Sequence, residues 1–272
     1  MALLARRREA PCLDGGELLT REGRFPIPQS ANDVEVRLEA LDRDEIDVAL
    51  VSLQPTLGIG ELPAGEREEL ENTWVEGMRQ LVADSRGRLL AMGPGRVDEA
   101  CVGAAVAART LDDLDGIAPI LDELERRGQP LFVHPGPATA RPAMPDWWTW
   151  VVDYTGQMQV AYYLWLAGGR ARWPELRVVF AILAGGAPFH LERLSQGGPA
   201  VRSTLDANVY LDVATYGRRS IELCAQTFGV RHLVYGSDRP VVDPAATMQA
   251  VRGFGESVTK LVCMDNPSEL LP

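Results

Sequence analysis

From residue 45 onward, short apolar runs alternate with longer amphipathic stretches. The runs are Ile46–Leu53, Arg88–Met92, Cys101–Ala107, Gln129–His134, Leu176–Leu183, Asn208–Val213 and His232–Tyr235. Each is brief and nearly continuous in apolar residues, the pattern of a parallel strand buried on both faces. Between them lie Gly65–Ala83, Leu111–Arg127, Trp147–Ala167, Phe189–Gln196 and Arg218–Phe228, with Asp243–Val251 after the last run. These read as helices. One link is short, with room for a turn of helix over Val97–Val102. Strands that alternate with crossover helices predict a parallel sheet.

The number of runs bears on the architecture. A (β/α)₈ barrel has eight strands, and the chain offers seven recognisable ones. Residues 1–44 give helical and loop signals but no convincing apolar strand, and Leu38–Leu41 sits in a helix-like stretch. The expected fold is therefore α/β, a TIM-like (β/α)₈ barrel, incomplete, forming one domain over 1–272 with an irregular segment at 1–44. A doubly wound open sheet competes. It favours a glycine-rich phosphate loop after an early strand, and neither GxGxxG nor GxxxxGK[ST] occurs.

Composition narrows the partners. A formal charge of −11 disfavours nucleic acid and anionic membranes as partners and leaves a small-molecule substrate, even an acidic one, open. No apolar stretch approaches a membrane span, and the opening residues have no apolar leader, so a cytoplasmic location is expected. Cys12, Cys101, Cys224 and Cys263 are far apart with no CxxC, as expected of reduced thiols. A barrel short of one strand leaves open edges, which a second copy could cover, so a homodimer is an expectation too.

In barrels, functional side chains sit at the carboxyl ends of strands. Here those ends carry Ser52 and Gln54, Met92, His134, the turn Ala181–Gly186, Asp212 and Asp238. His134 and Asp238 are sound ligands for zinc or a similar ion, but a catalytic zinc usually has about three protein ligands. His134 could equally be a satisfied rim histidine. An aspartate at the end of an apolar strand is costly to bury unless it meets a cation, a metal or several donors. Asp238 could alternatively cap a helix or pair with Arg239. Asp212 follows the same logic, with a structural use of equal weight. His232 belongs at the far end of its strand, and His190 at a solvated helix start. The stretch after His134 holds Trp147, Trp148, Trp150 and Tyr154. Aromatics at helical spacing are usually core. These could also form a surface for a flat ring, with Arg239 as a polar contact.

The segments PLFVHPG, PELRVVFAILAGGAPFHLERL, NVYLDVATYG, LVYGSDRP and NPSELL, in this order, resemble the amidohydrolase-related family, which includes the aminocarboxymuconate-semialdehyde decarboxylase group. The resemblance runs from about residue 45 to the end. It implies a distorted (β/α)₈ barrel and a divalent metal, most often zinc, with hydrolysis or non-oxidative decarboxylation of small, often aromatic, acids. It also implies that His134 is a metal-ligating histidine after the fifth strand, and that Asp238 binds metal and handles the proton of its water. Two departures stand out. The family's His-x-His on its first strand has no counterpart here, and the histidine of the usual FAHxGG is Ile182. A chain that begins after that first strand would account for the missing pair and the missing strand, but not for Ile182.

The leading expectation is thus an amidohydrolase-type enzyme in which His134 and Asp238 hold a metal and Asp238 is the general base. The alternatives are a decarboxylase of the same family and a metal-free barrel with a binding role. The two ligands present predict weak or absent metal in this chain.

Overall fold

The computed structural model describes residues 2–27, 30, 33–196 and 206–271. The chain divides into two compact units, Met1–Ala107 with Pro135–Tyr154, and Ala108–His134 with Thr155–Pro272.

The first unit opens with a short helix α1 (Ala2–Arg6) and a three-stranded antiparallel sheet of β1 (Cys12–Asp14), β2 (Glu17–Thr20) and β3 (Gly23–Pro26). The segment read as helix and loop thus contains strands. They are too short to show an apolar period, and their signal is the turn chemistry. Gly15 and Gly16 between β1 and β2 both adopt positive φ, as a tight hairpin turn demands. Helix α2 (Val34–Asp44) follows, and its N-cap Asp33 accepts the backbone N–H of Glu35 at 2.9 Å.

Three parallel strands of a separate sheet also lie in this unit, β4 (Ala49–Ser52), β5 (Leu89–Pro94) and β6 (Ala104–Ala107), with helix α3 (Ala64–Asp84) linking β4 to β5. Alternation along β4 sends Ala49 and Val51 into a cluster with Leu38, Leu41, Leu81 and Leu89. Residues 97–102 form no helix, contrary to expectation. Asp98 closes a turn there instead, its side chain accepting from Ala100 N–H at 2.9 Å and its carbonyl from Cys101 N–H at 3.1 Å. An aspartate that binds its own backbone favours a turn over a helix.

The second unit carries β7 (Leu131–His134), β8 (Val178–Phe180), β9 (Val209–Asp212) and β10 (Leu233–Val234), all parallel. Its helices are α4 (Leu114–Arg127), α5 (Tyr154–Leu164), α6 (Arg170–Arg172), α7 (Pro188–Ser195), α8 (Arg218–Phe228), α9 (Ala245–Arg252), α10 (Glu256–Lys260) and α11 (Asn266–Leu270). The period of two sorts the strand residues. Leu131, Val133, Val178, Phe180 and Leu211 are fully buried, and Phe180 meets Tyr162 of α5 edge to face with centroids 5.5 Å apart. On the opposite face Phe132, Val179, Tyr210 and Val234 pack together with Leu270. Strands in all seven expected runs are present. No helix among the described residues is long and apolar enough to cross a membrane.

The terminal NPSELL has a structural task. Asn266 is fully buried, and its amide donates to the carbonyls of Val230 at 2.8 Å and Leu233 at 2.7 Å, fastening α11 to the start of β10. Asn266→Ala would strand two buried carbonyls. It should destabilise the chain by about 3 kcal/mol, read by urea unfolding.

Candidate active site

Strand register builds the site in the second unit. One layer above Phe132, Val179 and Tyr210, the same alternation places His134, Ala181 and Asp212, with Val234 the register partner of Asp212 and Gly236 two residues further along. The His134 ring lies 5.9 Å from that of Phe132, on the same side of β7. Asp238 follows two residues beyond Gly236. The carboxyl ends of β7 to β10 therefore present one imidazole and two carboxyls.

Asp212 is the best buried of these, at 7% exposure. Its Oδ1 accepts the N–H of Ala214 at 3.0 Å, and its carboxylate also accepts the backbone N–H of Ile182. Gly236 lies flat against it, and a Cβ there would stand 2.0 Å from Oδ1. Burial pushes the Asp212 carboxyl up to about 7, with the charge of Asp238 adding to the rise and the two backbone donors opposing it. Asp238 is pushed up to about 6 by burial. Near neutral pH the pair retains a proton.

The turn after β8 is unusual. Ile182, Leu183 and Ala184 have φ of 45°, 52° and 51°, and Gly185 continues at 63°. A β-branched residue in the left-handed region is a costly placement. The surroundings hold it. Gln159 Nε2 donates to the Gly185 carbonyl at 2.7 Å, Gly185 is pressed so close to the Thr155 carbonyl that a Cβ would sit 2.2 Å away, and Ile182 donates to Asp212. Asp238 is left-handed as well, at φ 51°, and its carbonyl accepts from Val241 and Val242 N–H at 2.9 and 3.1 Å.

The structure thus places His134, Asp238 and Arg239 in the second unit, with an Arg239 nitrogen 3.9 Å from Asp243 Oδ1. Asp212, which sequence reasoning left evenly balanced, is the centre of the hydrogen bonding. The signal was present in NVYLDV, a fully apolar strand closing on a single carboxylate. His190 is exposed, and His232 bonds through Nδ1 to the Val209 carbonyl at 2.8 Å, near the amino end of β10.

Trp147, Trp148 and Tyr154 belong to the first unit. Trp147 and Trp148 lie with ring centroids 6.0 Å apart, Trp147 is 48% exposed, and a π-helical turn (Thr149–Asp153) carries the chain into α5. Tyr154 donates its phenol to Glu22 Oε2 at 2.5 Å, and Ala138 N–H donates to Glu22 Oε1 at 2.8 Å. Sequence reasoning missed Glu22 because it lies at a hairpin tip more than a hundred residues from its partners.

The donor set does not make a metal centre. Among the described residues no three His, Cys, Asp or Glu side chains converge, and the rest of the chain includes none of these four types. Asp212 is committed to backbone N–H groups, and the remaining His134 and Asp238 are fewer than the usual three ligands.

Comparison with known proteins follows the same lines. A family model described as amidohydrolase matches residues 75–272. The 2-amino-3-carboxymuconate-6-semialdehyde decarboxylase of Dictyostelium discoideum is 23% identical over 92% of this chain and 80% of its own length. A 5-carboxyvanillate decarboxylase from Novosphingobium aromaticivorans, solved with manganese and 4-hydroxy-3-methoxy-5-nitrobenzoic acid, superposes with a TM-score of 0.72 at 18% identity, covering 88% of this chain and 80% of that one. A 2,6-dihydroxybenzoate decarboxylase from Rhizobium gives 0.71 at 15% identity, over 91% and 89%. The solved structures share the fold, a TIM-like (β/α)₈ architecture of which the described residues supply seven strands.

Proposed function

The chain belongs to the amidohydrolase family, and from that premise we propose that it is a non-oxidative decarboxylase of a small carboxylated acid, with an aromatic ring as the preferred frame. The observation that carries this reading is the pair of buried carboxyls, Asp212 and Asp238, that keep a proton near neutral pH at the strand ends. Decarboxylation needs a proton at the carbon that loses its carboxylate. The C–C bond breaks, CO₂ leaves, and the electron pair left on carbon takes the proton of the Asp238 carboxyl. Solvent then reprotonates Asp238. Burial sustains the protonated form of Asp238, and His134 orients the substrate carboxylate by hydrogen bonding. Arg239 is the neighbouring cation for a second acidic group. No metal enters these steps, because the residues present do not hold one. The family relatives that release CO₂ support decarboxylation ahead of the hydrolysis the sequence favoured.

A second reading, a metal-free binding protein, has Ile182 in its favour, since the family's strand-six histidine is replaced there. One experiment separates them. CO₂ release should be measured from 2,6-dihydroxybenzoate and 5-carboxyvanillate, with and without manganese or zinc. Release that survives chelation and falls roughly a hundredfold or more in Asp238→Asn is expected. Binding of these acids without release would favour the second reading. Calorimetric titration with zinc or manganese should show no stoichiometric binding. Tight binding that His134→Ala abolishes would overturn the metal-independent scheme.

A further inference from the structure

The hairpin tip between β2 and β3 reaches further than its own sheet requires. Glu22 sits in that turn. Its two carboxyl oxygens accept from Ala138 N–H at 2.8 Å and from the Tyr154 phenol at 2.5 Å, and Ala140 N–H donates to the Arg21 carbonyl at 3.0 Å. Positions 138, 140 and 154 bracket the stretch that carries Trp147 and Trp148. Between them the fixed points are local to the segment, such as Met144 N–H donating to the Arg141 carbonyl at 2.8 Å and Arg141 pairing with Asp153 at 3.1 Å. Met144 and Trp150 are 40% and 63% exposed.

We propose that Glu22 is a positioning residue that clasps both ends of the 138–154 segment and so fixes the exposed Trp147–Trp148 surface it carries. A hairpin tip bonded only to solvent would leave Ala138 N–H and the Tyr154 phenol to find other partners. Here one carboxyl satisfies both, linking parts of the chain 116 and 132 residues away.

The clasp has a direction in pH. Facing Glu22 are Asp153 and Tyr154 from the helical end of the segment, and Arg21 from its own hairpin. Arg21 is engaged by Glu61, and Arg141 by Asp153 at 3.1 Å, so among the described residues no cation pairs with Glu22. Burial raises its carboxyl above the ordinary glutamate range and Asp153 pushes the same way, against the two hydrogen bonds. A seated state with a raised value binds the proton more tightly than a released state. Seating is therefore favoured as pH falls and loosens as pH rises through the raised value. Glutamine copies the protonated form. Its carbonyl accepts from Ala138 N–H, and its amide donates to the Tyr154 oxygen.

Chymotryptic cleavage at Trp147, Trp148 and Trp150 of the full chain, followed across the acidic to neutral range, tests this without any substrate, and so apart from the decarboxylase reading. In the wild type, cleavage at these sites, divided by that of an unfolded control at the same pH to remove chymotrypsin's own pH dependence, should speed up as pH rises. Glu22→Gln should stay protected at every pH. Glu22→Ala should be cut roughly tenfold faster at these sites alone, the weight of one charge-assisted hydrogen bond. Should Glu22→Ala not accumulate, Tyr154→Phe removes one arm and should speed cleavage at the same sites. A pH-independent wild type, or a Glu22→Gln segment cut as fast as that of Glu22→Ala or Tyr154→Phe, would overturn the proposal.

Discussion

Lowering the pH from neutrality toward about 5 should raise the melting temperature of this protein, against the usual acid destabilisation of carboxylate-rich chains. The sign follows from two groups. Asp212 and Asp238 are raised from 3.8 to about 7 and about 6 in the fold. A carboxyl raised in the folded state contributes stability that is complete below its unfolded value. That stability is lost as pH rises through the folded value, here between about 4 and about 7. Glu22 and Glu71 are raised by burial too and act in the same sense. A tenfold change in proton affinity corresponds to about 1.4 kcal/mol, so after allowance for partial relaxation the pair should contribute on the order of 3 kcal/mol across the window. Asp212→Asn keeps an acceptor oxygen but sets an amide against a second backbone donor, which lowers stability by a constant amount. Its diagnostic effect is on slope: the rise on acidification should shrink to what Asp238, Glu22 and Glu71 supply. Differential scanning calorimetry at several pH values reads both. A melting temperature that is flat or falls over this window would show that neither carboxyl is held up by burial.

Gly236→Ala should be strongly destabilising. The added Cβ would lie 2.0 Å from Asp212 Oδ1, 2.7 Å from Cγ and 3.0 Å from Oδ2, distances that real side chains essentially never adopt. Asp212 cannot swing away without giving up the N–H groups of Ala214 and Ile182. The expected loss is about 3 kcal/mol or more, composed of overpacking and of two donors left unsatisfied. The damage should be relieved in part by Asp212→Ser, whose shorter side chain clears the methyl. A Gly236→Ala variant with unchanged unfolding midpoint would mean that the glycine is only a convenience of the turn.

The strands and most helices were legible because burial on both faces writes a continuous apolar run, and amphipathic helices write their own period. Arg218–Phe228 could be read to the residue, since glycines flank both ends. What the pattern could not show was governed by other physics. The antiparallel sheet at Cys12–Pro26 rests on turn chemistry in strands of three and four residues. The candidate site was half legible. His134 and Asp238 stand out as polar endings of apolar strands. The importance of Asp212 depends on Gly236 and on two backbone donors, which are brought together by sheet register rather than by sequence distance. Glu22 depends on a contact across 132 residues that no local period encodes.

The left-handed turn at Ile182–Gly185 separates architecture from chemistry. Gln159, Thr155 and Asp212 grip it through its backbone, at the Gly185 carbonyl, the Gly185 Cα and the Ile182 N–H, so its conformation is held from outside. Isoleucine is among the residues least suited to that conformation, whereas asparagine, aspartate and histidine adopt it more readily. Position 182 is thus a socket whose shape outlasts its occupant. A different side chain can be set at this strand end by a single substitution without rebuilding the turn that carries it.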